Sequence, residues 1–299
     1  MKHANELLRQ LLADNPNIHA AWFDDATNPN SLVILRDRTA SLVPTKLPAE
    51  LIHLKLDVHV TNPLRILRLP TMGAYPANTH QVCQNEPIKL GTQIQPQGAD
   101  WLGTAGSPVR WLDNQGLSHH GILSNWHVLA DGDERIGRTA HQPTAAYPAV
   151  ATLAAWHTVT PDTDHQIDAA IADALVDGLH TISNEILGIG PIGDTPLDAR
   201  VGLLVAKSGR TTQVTDGLCT AIGAAVRVGY GGFTATFVDQ DIYSAVDGPF
   251  SAPGDSGSLI VGRSCRCAAS LLFAGSNTLT IGNPIRHVAA ALGLQFPFN

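Results

Sequence analysis

From residue 89 onward the chain divides its apolar residues into short runs separated by glycine and proline. The runs read "ILSNWHVL", "DAAIADAL", "VGLLVAKSG", "CTAIGAAVRVGY", "GGFTATFVDQDIYSA", "GSLIVG", "AASLLFAG" and "NTLTIGN". Many short strands with turn signals between them argue for an all-β barrel or sandwich. One segment departs from the pattern. In "NPIRHVAAALGL", Ile285, Val288, Ala289 and Leu292 share a helical face, and Gly293 stands where a helix stops. No internal repeat at a period of roughly 20–50 residues is visible.

The first 70 residues have a different texture. Leu7, Leu8, Leu11 and Leu12 recur at helical spacing, which predicts a helix over 3–13. "IHAAWF" (18–23) and "SLVILR" (31–36) read as strands around the polar turn "DDATNPN". "LKLDVHV" (54–60) alternates strictly, placing Leu54, Leu56, Val58 and Val60 on one face of a half-buried strand. Residues 1–70 are therefore expected to form a small α+β domain. The polar, proline-containing stretch 71–88 reads as a linker, leaving 89–299 as the main β domain.

Composition narrows the function. Apolar residues make up 44% of the 299 and charged residues 15%, enough for a sizeable core. The formal charge is −7 and no basic cluster occurs, so nucleic acid is not an expected partner. Glu6, Arg9 and Asp14 interrupt the apolar pattern at the N-terminus, which fits an amphipathic helix and not a secretory signal. No apolar run is long enough for a membrane span. Cys83, Cys219, Cys265 and Cys267 are then expected as free thiols in a cytoplasmic protein. "CRC" (265–267) lacks partners at zinc spacing and reads as structural packing.

Three residues suit one another chemically. Ser256 lies in "APGDSGSLI", a glycine turn that runs straight into a strand. A serine nucleophile needs a base, and the base needs an orienting carboxylate. His127 follows an apolar strand in "GILSNWHVLA", and Asp168 opens the small-residue run "DAAIADAL". Each sits at a strand edge, where a barrel delivers loop-borne groups to a shared cleft. Asp162, Asp164 and Asp173 compete for the carboxylate role, and Asp168 also reads as a plain helix N-cap. The N–H groups of residues 254 and 256 can point to one side if Gly254 removes side-chain obstruction, forming an oxyanion pocket. A strand–helix nucleophile elbow would need glycine at 258, where this chain has Ser258 and then a strand.

These segments together resemble the chymotrypsin-like (trypsin-like) serine peptidases. "SNWHVLA" is similar to that family's histidine segment, "DAAIA" to its aspartate segment and "GDSGS" to its nucleophile turn. More narrowly, "GTAG" (103–106), "LSNWHVLA" (123–130), "GRTT" (209–212), "GDSGSL" (254–259) and "LLFAGS" (271–276) resemble a microbial and plant group with a small α+β extension in front. The resemblance covers about 86–299. It implies a mainly β, chymotrypsin-like double β-barrel with a C-terminal helix, and a serine endopeptidase acting on protein or peptide substrates through an acyl-enzyme. It assigns His127 as base, Asp168 as its orienter, Ser256 as nucleophile, and the N–H groups of Gly254 and Ser256 as oxyanion hole. It places Phe273, Ala274 and Gly275 where a substrate backbone pairs, and it requires no cofactor.

Two departures from the family carry expectations. Where trypsins have an aspartate on the pocket floor this chain has Phe250, so uncharged or small residues are expected before the cut. No activation site resembles that of processed members, so Asp255 is expected to be held by internal donors: backbone N–H groups, a hydroxyl, or an arginine or histidine. The acidic loops 131–134 and 162–164 read as solvated. Two rival readings stand beside the peptidase: a non-catalytic binding protein on the same fold, and a self-processing or regulated protease whose residues 1–70 cover the cleft.

Overall fold

The computed structural model describes residues 2–24, 30–38, 44, 46–71, 78–84, 87–175 and 182–296. Most of the predicted turn after strand Ile18–Phe23, and residues 72–77, 85 and 86 of the expected linker, lie outside them.

Two β-barrels carry the main domain. The first is a curled path through strands Ser107–Leu112, Ser118–Ser124, Ala170–Ala174, Ala149–Trp156, Thr139–His141, Thr92–Pro96 and Trp101–Ala105. The second closes on itself. Thr234–Ala245, Thr280–Pro284, Ala268–Gly275, Leu259–Gly262, Leu204–Gly209 and Gln213–Gly229 follow one another, and the last pairs back onto the first. The inward residues of the strands build the cores. One cluster holds Val226, Phe237, Ile242 and Phe273 with Ile122, Val128 and Leu153. Helix Ile285–Leu292 buries Ile285, Val288 and Ala289 in another, and Gly293 ends it at φ 65° with its N–H on the Ala289 carbonyl.

One strand is longer than the apolar run read for it: Gln213–Gly229 spans 17 residues, whereas the 12-residue Thr234–Ala245 lies within its own run. Gly223, inside the run "CTAIGAAVRVGY", lies at φ 67° among register shifts within the longer strand. A bulge bends a strand without ending it.

Helix Lys2–Asp14 packs Leu8, Leu11 and Leu12 onto Ile18, Phe23, Leu32 and Ile34. Strand Lys55–Val60 runs parallel to Ser31–Arg36, with Leu54 buried and Val60 exposed. This unit continues the second barrel's sheet. Ile18–Phe23 pairs antiparallel with Gln213–Gly229 (Ala20 opposite Val226), and Ala225 of that barrel strand shares the N-terminal core. Arg227 fastens the junction through the Pro16 carbonyl at 2.9 Å.

The chain then crosses between the barrels. Leu64–Ile66 forms a strand parallel to Gln213–Gly229 and antiparallel to Ala268–Gly275, both in the second barrel. Leu69–Pro70 pairs with Trp101–Ala105 of the first. Described parts of the 71–88 stretch are also tied down: the Asn78 amide donates to the Arg210 carbonyl at 3.2 Å, and His80 is buried.

Candidate active site

Strand register brings His127 and Asp168 together. Ser118–Ser124 and Ala170–Ala174 are antiparallel neighbours with Ser124 opposite Ala170, so the residues just beyond 124 and just before 170 meet at one end. Asn125 caps the short helix Trp126–Leu129, and its amide donates to the Asp168 carbonyl at 2.7 Å. The Asp168 N–H donates to Asn283 Oδ1 at 2.9 Å. His127 Nδ1 lies 2.5 Å from Asp168 Oδ2, and the His127 backbone N–H donates to Oδ1 at 3.1 Å. Both residues are fully buried. Among the competing carboxylates, Asp164 pairs with Arg9 and Asp173 with His119.

A residue that sequence reasoning missed completes this pair. The Tyr230 hydroxyl donates to Asp168 Oδ2 at 2.6 Å. Burial, then the Asp168 charge, hold the phenol well above its usual range, so it stays a donor. Tyr230 stacks on Phe233 and meets the His127 ring edge-on at 6.0 Å. Its only sequence signal is a polar tip at the end of an apolar run.

Two glycines shape the Ser256 turn. Gly254 sits at φ 104°, and a Cβ there would lie 2.3 Å from Thr211 Oγ1. Gly257 sits at φ 96°, and a Cβ there would lie 2.2 Å from both the Thr104 carbonyl and Ser124 Oγ. A side chain at either would be strained and in collision. Thr104 of "GTAG" clasps the turn from the first barrel: its N–H donates to the Ser256 carbonyl and its hydroxyl to the Gly254 carbonyl, each at 2.8 Å.

Asp255, fully buried, is held entirely by internal donors. Oδ1 accepts the N–H groups of Thr211 and Thr212 at 2.8 and 3.2 Å. Oδ2 accepts the Thr212 hydroxyl at 2.6 Å and the Ala252 N–H at 3.0 Å. The cation is a lysine, not the arginine or histidine expected: Lys207 Nζ, also fully buried, lies 3.4 Å from Oδ2. Arg210 of "GRTT" is buried as a structural charge, with Nε on Gln93 Oε1 at 2.7 Å.

The N–H groups of Gly254 and Ser256 converge on one atom, the Leu67 carbonyl oxygen. The Leu67 N–H faces the Phe273 carbonyl at 3.2 Å and Ser256 Oγ at 3.0 Å. Ala274 and Gly275 pair with Ile66 and Arg65. The Leu67 side chain enters an apolar cluster with Phe250, Val205, Tyr243, Ile260 and Leu272. The Ser256 hydroxyl itself donates to the Phe273 carbonyl at 3.1 Å, while His127 Nε2 is buried with no hydrogen-bond partner. Phe250, Phe273, Ala274, Gly275, Gly254 and Ser256 therefore all gather around one chain segment, and Ser256 is turned away from His127.

This arrangement of two β-barrels with a cleft between them is the chymotrypsin-like fold of serine proteases. The chain is similar to Thermobifida fusca Protease A (19% identity, TM-score 0.51, covering 70% of this chain and 98% of that one). It is likewise similar to Cellulomonas bogoriensis chymotrypsin (20%, TM-score 0.50, 71% and 100%) and to Nocardiopsis protease (17%, TM-score 0.50, 70% and 98%). No family model and no curated protein matches the sequence.

Two buried groups other than His127, Asp168 and Ser256 give stability a pH dependence. Burial pushes Asp241 up to about 7 from 3.8, and it accepts the Ser270 hydroxyl at 2.6 Å. The folded state holds that proton where the unfolded chain has lost it, so this contribution fades as pH rises from 3.8 to about 7. Burial, then Lys207, lower His80 from 6.5 to about 4. Its contribution has the opposite sign and is lost as pH falls between those values. The two slopes oppose each other over the shared window. Asp241→Asn removes the first, so the variant's Tm is expected to climb more steeply than the wild type's from pH 4 to 6.5. Parallel melting curves against pH for the two proteins would show the assignment to be wrong.

Cysteine placement corrects one expectation. Cys219 is buried, but Cys83 and Cys265 are exposed and Cys267 is only half covered. The pair 265–267 lies on the turn before strand Ala268–Gly275, where the Cys267 N–H faces Cys265 Sγ at 3.2 Å. No described helix is long and apolar enough to cross a membrane.

Proposed function

We propose that this protein is a serine endopeptidase. Ser256 adds to a substrate carbonyl carbon and passes its proton to His127 Nε2. Asp168, steadied by Tyr230 and Asn125, holds Nδ1–H so that Nε2 is the free base. The Gly254 and Ser256 N–H groups receive the oxyanion, at a typical worth of roughly 3–4 kcal/mol per donor. His127 then protonates the leaving amine, and water releases the acyl group from Ser256. Protein or peptide chains are the substrates, because strand Ala268–Gly275 offers backbone pairing beside the serine. The exposed, unpaired Cys83 and Cys265 suit a reducing compartment, and the cytoplasm is the proposed location.

The observation that carries this reading is the convergence of both oxyanion N–H groups on a peptide carbonyl whose own residue also touches Ser256 Oγ. One feature favours a second reading, a cleft that only binds: the Ser256 hydroxyl points at the Phe273 carbonyl and not at His127. Covalent labelling separates the two. A Leu67→Asp variant, whose carboxylate disfavours the apolar cluster, should expose the serine. A fluorophosphonate is expected to label it at Ser256 and to label the wild type more slowly. Failure to label a variant that still melts cooperatively would favour the binding protein.

A further inference from the structure

Residues 64–71 cross the cleft as a substrate would. Leu64–Ile66 is hydrogen-bonded on both edges within the second barrel. Leu67 supplies the carbonyl in the oxyanion hole and the side chain in the apolar cluster. Beyond it, the Arg68 guanidinium lies 4.4 Å from the Trp101 ring centre, 2.5 Å from Asp131 Oδ2 and 3.4 Å from the His127 carbonyl. Leu69 then pairs with Leu102, and the Thr71 N–H donates to the Asp100 carbonyl at 2.8 Å. The chain thus hands over from one barrel to the other at the Leu67–Arg68 bond, beside Ser256.

From this register we infer that Leu67–Arg68 is a substrate of the protein's own active site, and that the site selects a leucine-like apolar residue before the cut and a cationic residue after it. The inference rests on the peptidase reading and adds its substrate class. Three observations converge on it. The cluster around Leu67 is apolar, with Phe250 where a charged partner for lysine or arginine would be needed. Asp131 and the Trp101 face together recognise a guanidinium on the other side of the bond. His127 Nε2 is an unpartnered buried nitrogen, left open to take a proton.

The step balances without a cofactor. Ser256 Oγ bonds to the Leu67 carbonyl carbon and its proton moves to His127 Nε2. The C–N bond to Arg68 breaks, and that proton goes to the new Arg68 amine. Water then adds to the ester, leaving a Leu67 carboxylate and a restored serine. The segment is tethered, so its effective concentration at the site reaches the millimolar range of short linkers. Triad and nucleophile are fully buried beneath it, and an external chain must displace it first.

Incubating the purified full chain and recording intact masses under denaturing conditions tests this. The wild type is expected to yield residues 1–67 and 68–299, which elute together before denaturation because Ile18–Phe23 stays in the barrel sheet. Ser256→Ala should remain whole, and Leu67→Asp should be cut at least about 100-fold more slowly, since a buried charge costs several kcal/mol. The Leu67→Asp protein, with its cleft freed, is then given a synthetic peptide of residues 62–71 and two altered copies. It should cleave the first between leucine and arginine, and the Leu67→Arg and Arg68→Glu copies far more slowly. A wild-type chain that stays intact, or is cut elsewhere by Ser256, while the variant cleaves peptides or reacts with a fluorophosphonate, would overturn the inference and leave the peptidase reading standing. Loss of all three activities would overturn both.

Discussion

On the proposed peptidase reading, Asp168→Asn is expected to lower kcat for peptide hydrolysis by about 10⁴, the loss a Ser-His-Asp triad suffers when its carboxylate becomes an amide. The geometry explains the size. Asp168 Oδ2 receives His127 Nδ1–H at 2.5 Å and the Tyr230 hydroxyl at 2.6 Å, while Oδ1 receives the His127 N–H at 3.1 Å. An asparagine can supply only one acceptor oxygen and must turn its NH₂ toward donors on the other side. If the NH₂ faces His127, the ring is driven to the other tautomer and Nε2 carries the proton, so it no longer serves as base. If it faces the His127 backbone N–H, two donors clash and the helix Trp126–Leu129 shifts. Tyr230→Phe isolates the smaller contribution: it removes one donor and keeps the ring packing against Phe233. Its loss should be far below that of Asp168→Asn. Measured kcat values for both variants decide the matter, and near wild-type turnover in Asp168→Asn would sink the role given to this carboxylate.

How much of this was readable beforehand depends on whether the deciding contact was local. The Ser256 turn is legible because Gly254 and Gly257 answer to a local demand, positive φ, and "GDSGS" carries them in order; the groups they avoid, Thr211, Thr104 and Ser124, lie far off in sequence. The meeting of His127 and Asp168 is legible because one follows a strand and the other precedes a strand, and antiparallel neighbours bring two such positions together. Helix Ile285–Leu292 keeps its period and its glycine stop. The cleft occupant was not legible. Leu64–Ile66 is three residues long, too short for any period, and its pairing with Ala268–Gly275 spans most of the chain. Residues 1–70 read as a separate unit because their helix and strands are self-consistent. Nothing in "IHAAWF" reveals that its free edge meets Gln213–Gly229. Lys207 did leave a signal, a lone cation inside the apolar run "VGLLVAKSG", but its partner Asp255 lies far along the sequence.

That pair gives the largest expected effect on stability. Asp255→Ala should destabilise the fold by about 3–5 kcal/mol, the cost of leaving one member of a buried ion pair uncompensated. Lys207 is fully buried, and desolvation lowers its proton affinity, an effect Asp255 offsets only in part. Without the carboxylate, the ammonium keeps the Gln213 carbonyl at 2.9 Å and the Thr212 hydroxyl, neither of which carries charge. The N–H groups of Thr211, Thr212 and Ala252 lose their acceptor at the same moment. Lys207→Met should cost less, because Asp255 retains those three N–H groups and a hydroxyl. The double variant should recover part of the Asp255→Ala loss, since it leaves no buried charge. Activity should follow a different order. Asp255 fixes the turn whose N–H groups at 254 and 256 meet on the Leu67 carbonyl. Its removal should therefore lower turnover even at temperatures where the variant stays folded. The comparison also bears on activation. A carboxylate already neutralised by Lys207 has no need of a new N-terminal ammonium, so a cut at Leu67–Arg68 would act by freeing the cleft and not by building the oxyanion hole. Melting curves for the three variants, with turnover measured well below each Tm, test both claims. Equal stability losses for Lys207→Met and Asp255→Ala would show that the backbone donors contribute little to holding Asp255. Undiminished turnover in folded Asp255→Ala would show that the turn keeps its shape without its carboxylate.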